Sequence, residues 1–168
     1  MPTTQQSYDS LFVEHFNQVL SYTQRLVGDI STAHRITEEV FAEAARYYRK
    51  GKSPSQPRAL LYLLATARSR EFLRKGNRKS LLQRIFSRDQ PPVVQFTEAE
   101  AAGLSSDTSQ RALSTLDFGD RVVVLLHDYC GLTYEEVARA ADIGRSSVAR
   151  DPDRARHQFK QAYDYIKF

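Results

Sequence analysis

Residues 131–148 read GLTYEEVARAADIGRSSV, and this stretch decides the fold. Thr133-Tyr134-Glu135-Glu136 has capping-box form, with Thr133 at the N-cap and Glu136 at N3, where each side chain can reach the other's backbone N–H. Val137, Ala138 and Ala141 supply the apolar side of a short helix. Asp142-Ile143-Gly144 makes a turn, and Arg145-Ser146-Ser147-Val148 opens a second helix. Helix, tight glycine-bearing turn, helix is the helix-turn-helix outline. Upstream, Val122–Leu126 is an apolar run, and Gly131 falls where a helix C′ residue belongs.

The same periodicity runs through the first half. Phe12, Phe16, Val19, Leu20 and Val27 recur at helical spacing, and Gly28 ends the run. Ser31 or Thr32 is placed to cap a second helix with the stripe Ala33, Ile36, Val40, Phe41 and Ala44. Residues 51–57 are loop material, after which Pro57 suits the first turn of a third helix running to about Lys75. Leu81, Leu82, Ile85 and Phe86 predict a separate short helix. Asp89 to Ser109 holds four acids, no Lys or Arg, and Pro91-Pro92, which reads as a flexible linker. The expected fold is therefore all-α: two small helical domains, 7–88 and 110–168, joined by a linker at 89–109, the second containing the helix-turn-helix.

Charge divides the chain. Residues 1–88 carry 15 Lys/Arg against 7 Asp/Glu, whereas residues 89–168 carry 9 against 13. An acidic partner would meet the first half most strongly. Arg68 to Arg88 concentrates that charge, with eight Lys/Arg against one acid, Glu71. No run approaches the roughly 20 apolar residues of a membrane helix, and Pro2 to Ser10 is polar, so neither membrane insertion nor a signal peptide is expected. The single Cys130 excludes an internal disulfide and fits a reducing cytoplasm. No phosphate loop, metal-ligand spacing or catalytic Ser/His/Asp or Cys/His arrangement is present, so neither catalysis nor a metal nor a cofactor is expected.

Three strings in the first half resemble, in order and spacing, the second region of extracytoplasmic-function (group IV) RNA polymerase sigma factors. They are LFVEHFNQVLSYTQRLVGD (11–29), ITEEVFAEAARYY (36–48) and LLYLLATARSREFLR (60–74). ALSTLDFGDRVVVLLHDYCGLTYEEVARAADIGRSSV (112–148) resembles their fourth region. The resemblance implies a cytoplasmic, non-enzymatic protein that directs core RNA polymerase to specific promoters. The first domain would meet the polymerase clamp and open the −10 element. The second would place a helix in the major groove of the −35 element.

Residue by residue, the resemblance carries DNA binding to the loop residues Lys52, Ser53, Ser55, Gln56 and Arg58. It carries it also to Arg70, Arg74, Lys75, Arg78 and Lys79 at the basic helix end, and to Arg145, Ser146, Ser147 and Arg150. Polymerase contacts fall on Asp29, Thr32, Arg35, Glu38 and Glu39. An anti-sigma protein or a serine/threonine kinase is a further partner that such a chain could have.

Four departures mark a divergent member. The acidic run that usually opens the second helix is Thr32-Ala33-His34-Arg35. Positions that usually hold Trp, Arg and Asn on the third helix fall among Leu60, Leu63, Thr66 and Ala67. The recognition helix continues as Arg150-Asp151-Pro152-Asp153-Arg154-Ala155-Arg156, and Asp151-Pro152 reads as the start of a new helix. The usual Leu-Pro is Leu116-Asp117, which leaves the next helix start near Asp120 undefined. Ser31, Thr32 and Thr37 surround the missing acidic run. They are candidate phosphate acceptors, with Thr37 expected on the exposed face beside Glu38. Two alternative readings remain open. One is a sigma-like regulator that binds a protein partner and reads promoters poorly. The other is a simple helix-turn-helix regulator.

Overall fold

A computed structural model describes residues 4–52, 54–86, 108–140 and 152–167, and the described residues contain helices and no strand. The helices are α1 (Thr4–Val27), α2 (Ile30–Arg49), α3 (Pro57–Phe86), α4 (Thr108–Thr115), α5 (Phe118–Val124), α6 (Tyr134–Ala140) and α7 (Pro152–Lys167). A single π-helical turn, Leu125–Tyr129, extends α5. The all-helical expectation holds.

α1, α2 and α3 pack together because each has an apolar stripe of helical period. Leu11, Val19, Tyr22 and Leu26 line α1, Ile36, Val40, Phe41, Ala44 and Tyr48 line α2, and Leu61, Tyr62 and Ala65 line α3. Removing each large apolar side chain from water contributes roughly 1.5–3 kcal/mol. Tyr22 and Tyr62 meet edge to face at 5.2 Å, and the Tyr22 hydroxyl is 2.6 Å from that of Thr66. A second aromatic group joins α1 to α2: Phe12 and Phe16 lie 5.1 and 5.3 Å from Phe41.

Chain direction changes at positions with local causes. Gly28, at φ 80°, ends α1 and donates its N–H to the Gln24 carbonyl at 2.8 Å. α2 follows at once, capped by Asp29 rather than by Ser31 or Thr32. The Asp29 carboxylate accepts from the Thr32 N–H at 2.7 Å. Ser31 and Thr32 therefore lie inside the first turn. The carboxylate three residues before an N–H is the better acceptor at the positive end of a helix.

α3 also differs from expectation. It does not stop near Lys75 but continues through Gly76 to Phe86, so no separate short helix forms at 81–86. Glycine costs a helix only about 1 kcal/mol, and the Arg, Lys, Leu and Gln around it are strong helix formers.

In the second half, α5 starts at a defined place. The Asp117 carboxylate accepts from the Asp120 N–H at 2.9 Å, replacing the proline expected there with an equally clear N-terminus. Cys130 closes the π turn onto the Leu125 carbonyl at 2.8 Å, and Gly131, at φ 69°, takes the C′ role read from the sequence. The capping box forms as written. Thr133 donates its N–H to Glu136 Oε2 at 2.8 Å, and Glu136 returns an N–H to Thr133 Oγ1 at 3.3 Å. α7 opens at Pro152, as the Asp151-Pro152 pair predicts for a new helix. Its buried Ala155 sits between Arg154, paired with buried Asp120 at 3.2 Å, and Arg156, paired with Asp128 at 2.6 Å.

The buried apolar residues of both halves form one continuous core cluster, from Leu11 to Ala155. Arg121 of α5 donates to the Leu26 carbonyl at 3.0 Å, and Gln110 of α4 donates to the Arg25 carbonyl at 3.1 Å. These are C-terminal carbonyls of α1, which have no partner inside their own helix.

Candidate nucleic-acid interface

The basic end of α3 combines committed and exposed cations. Arg68 is held by two carboxylates of α2, Glu43 at 2.8 Å and Glu39 at 3.6 Å, and the Glu43 contact raises its pKa further. Arg70 is exposed, with its guanidinium 5.2 Å from the centre of the Phe118 ring. Arg74 is exposed. Lys75 is exposed and pairs with Glu71 at 2.7 Å, which lowers the Glu71 pKa. Arg78 and Lys79 lie on the same helix, but their side chains are outside the described part. Arg70, Arg74 and Lys75 thus present positive charge along one exposed stretch of helix, as phosphate binding requires.

The loop before α3 divides as well. Lys52 and Ser55 are exposed, and Ser53 is outside the described residues. Gln56 is half-buried, and its side-chain carbonyl oxygen has no hydrogen-bond partner. Arg58 turns inward, donating to the Cys130 carbonyl and lying 6.0 Å from the Tyr62 ring centre. The Tyr62 hydroxyl bonds the Cys130 thiol group, whose pKa burial pushes up to about 11.

On α2, Asp29, Thr32, Arg35, Glu38 and Glu39 fall at or near the N-terminal end. Asp29 is spent as a cap, and its bonds from Thr32 lower its carboxyl pKa. Arg35 bonds Glu39 at 3.1 Å and Glu38 lies 3.8 Å from His34, so both carboxylates already have basic neighbours within the helix. Of the three hydroxyls expected to accept phosphate, Ser31 is exposed. Thr32 lies beside the Asp29 carboxylate, where a second anion would be repelled. Thr37 is fully buried and donates to the Ala33 carbonyl at 2.7 Å, which corrects its expected place on the exposed face. The i−4 carbonyl satisfies the hydroxyl, and the threonine methyl joins the core stripe.

Residues 109–158 match the family described as sigma-70, region 4. The matched segment covers under a third of the chain. It begins in α4, spans α5, the π turn and α6, and ends in α7. It therefore contains the capping box and the stretch from which the helix-turn-helix was read. Arg145, Ser146, Ser147 and Arg150 fall within it but lie outside the described residues. The search of curated proteins returned no match.

Sequence reasoning missed the residues that join the halves: Arg25, Gln110, Arg121 and Tyr129. Arg25 lies 5.1 Å from the centre of the Tyr129 ring, and Arg121 also reaches the Leu116 carbonyl at 3.1 Å. The only local signal was Arg121 at the head of an apolar run, where a cation needs buried acceptors. No group of three or more His, Cys, Asp or Glu that could hold a metal occurs among the described residues, and no described helix is long and apolar enough to cross a membrane.

Proposed function

We propose that this chain is a promoter-specificity subunit of bacterial RNA polymerase, a sigma factor of extracytoplasmic-function type and a divergent one. The match of residues 109–158 to sigma-70 region 4 carries the reading. The three-helix unit at 7–88, ending in a basic helix, supports it, because duplex opening needs a cationic surface next to a base-binding loop. On this reading residues 110–168 address the −35 element through Arg145, Ser146, Ser147 and Arg150. Lys52, Ser53, Ser55, Gln56, Arg58, Arg70, Arg74, Lys75, Arg78 and Lys79 address the −10 region. The N-terminal end of α2 addresses core polymerase, with the protein acting in the cytoplasm. A phosphate on exposed Ser31 would return negative charge to the end of α2 that lacks the acidic run.

A second reading has one observation in its favour. Arg35 and His34 stand where carboxylates usually meet a basic clamp, and Glu38 and Glu39 are already paired. A sigma-like regulator that binds another protein and reads promoters poorly would fit that surface.

Run-off transcription with purified core polymerase on a promoter-fragment library tests the choice. A sigma factor yields discrete, protein-dependent transcripts. Binding to core polymerase or to another protein without transcripts supports the second reading. Sequence-specific DNA binding with no polymerase requirement indicates a simple helix-turn-helix regulator. In the holoenzyme, Arg74→Ala should lower the salt slope of promoter binding by about one unit.

A further inference from the structure

The last turn of α2 and the residues after it form a second concentration of positive charge, distinct from the basic end of α3. Residues 46–58 hold five Lys/Arg and no Asp or Glu. Arg46, Tyr47, Arg49, Lys50 and Lys52 are exposed, whereas Tyr48 turns into the core and meets the Tyr8 ring edge-on at 6.0 Å. Helical spacing puts Arg46, Arg49 and Lys50 on the side opposite Ala44 and Tyr48, with Tyr47 at its edge.

These cations are not committed to holding the fold. Arg68 and Lys75 of α3 pair with carboxylates. Among the described residues no carboxylate pairs with Arg46, Lys50 or Lys52, and Arg49 lies beside the Tyr8 hydroxyl. Nor do they serve as caps, because backbone N–H groups take the last carbonyls of α2. Lys50 and Lys52 donate to the Tyr47 carbonyl at 3.2 and 3.1 Å, and Gly51, at φ 69°, donates to that of Tyr48 at 2.9 Å. The helix dipole favours a cation or two at this end. It does not call for an exposed aromatic ring among them.

We propose that the C-terminal end of α2 is a platform for single-stranded DNA, on which Tyr47 stacks against a base while Arg46, Arg49 and Lys50 hold the neighbouring phosphates. Cations interleaved with an aromatic face are what an unpaired strand requires, since each unstacked base offers a π-face and each linkage a negative charge. A duplex offers phosphates to the same cations but keeps its base faces stacked, out of reach of Tyr47. The proposal deepens the sigma-factor reading and rests on it for the identity of the strand. On that reading the platform continues the surface of exposed Lys52 and Ser55, and carries the strand released at the −10 element beyond the base-binding loop.

The test uses the full chain and a fluorescein-labelled oligothymidylate, with a duplex of the same length in parallel, titrated over a range of salt. Replacing Arg46, Arg49 and Lys50 together by Gln should lower the salt slope for the single strand by about two units, at about 0.7 per phosphate. Tyr47→Ala should weaken single-strand binding about tenfold and leave duplex binding unchanged, and Tyr47→Phe should restore the single-strand affinity. All four positions are exposed, and circular dichroism checks that α2 persists in each variant. Single-strand affinity that ignores Tyr47→Ala, or a salt slope that the triple variant leaves unchanged, overturns the platform. A loss of the same size on duplex and single strand also overturns it, because that is the behaviour of a diffuse basic surface.

Run-off transcription with core polymerase separates this outcome from the fate of the sigma-factor reading. Promoter-specific transcripts together with oligonucleotide binding that ignores all three variants leave the sigma-factor reading intact and remove the platform. No transcripts from wild type, together with single-strand binding that follows Tyr47 and the cations, keep the platform and remove the sigma-factor reading.

Discussion

Thr37 shows how one side chain can look available in sequence and be withdrawn by packing. It sits beside two glutamates in a polar stretch, yet its helical phase places it with Ala33, Ile36 and Val40. A charge there would be buried without a partner. Thr37→Asp should cost about 3 kcal/mol or more, read as a fall in the urea midpoint. Thr37→Val, which keeps shape and loses only a bond to the i−4 carbonyl, should stay within about 1 kcal/mol of wild type. A kinase acting on folded protein should therefore leave Thr37 unmodified. Glu136 offers a test in pH. Its bonds from Thr133 hold its folded pKa below the ordinary 4.5. That stabilisation is fully present above the ordinary value and is lost as pH falls through the lowered one. Acid titration of stability should show a shallower loss in Glu136→Gln than in wild type, with the two converging at low pH. Because the carboxylate is mostly exposed, the effect is small.

Helix ends obeyed local chemistry wherever a cap residue was unambiguous. Thr133 and Glu136 formed their box, Gly131 took a left-handed conformation, and Pro152 opened α7. The errors came from competing signals. Asp29, Ser31 and Thr32 are all good caps, and the choice depended on where the chain leaves Gly28. α3 is expected to end near Lys75, but nothing at Gly76 or after it terminates the helix before Phe86. Gly76 is exposed, and an added Cβ would meet nothing within 4 Å. Gly76→Ala should therefore stabilise the protein by about 0.5–1 kcal/mol and raise helicity by circular dichroism. An unchanged or lowered melting temperature would contradict a continuous helix through this point.

Among the described residues, a single apolar cluster runs through both halves, and side chains of α4 and α5 satisfy the end of α1. Denaturation should accordingly be one cooperative transition followed alike by far-UV dichroism and tyrosine fluorescence. Arg121 is the best test. It is partly buried and donates to Leu26, Leu116 and Ser114, so Arg121→Ala leaves three carbonyls without that donor. The expected cost is about 2 kcal/mol, with the midpoints of both halves falling together. Two separate transitions, only one of them shifted, would show that the halves fold independently and that their contacts contribute little.

Sequence alone determined the helical character of the described residues, the apolar stripe of α2, the capping box at Thr133 and the concentration of positive charge in α3. Each depends on residues within one or two turns of each other, where spacing and side-chain type are sufficient. Tertiary structure alone decided that Arg58 faces Cys130, that Arg121 caps α1 and that Gln110 reaches Arg25. Those partners are 72, 95 and 85 residues apart. A backbone carbonyl has no side-chain identity, so no motif marks it as the acceptor for a distant arginine. Only the path of the chain brings donor and acceptor within bonding distance.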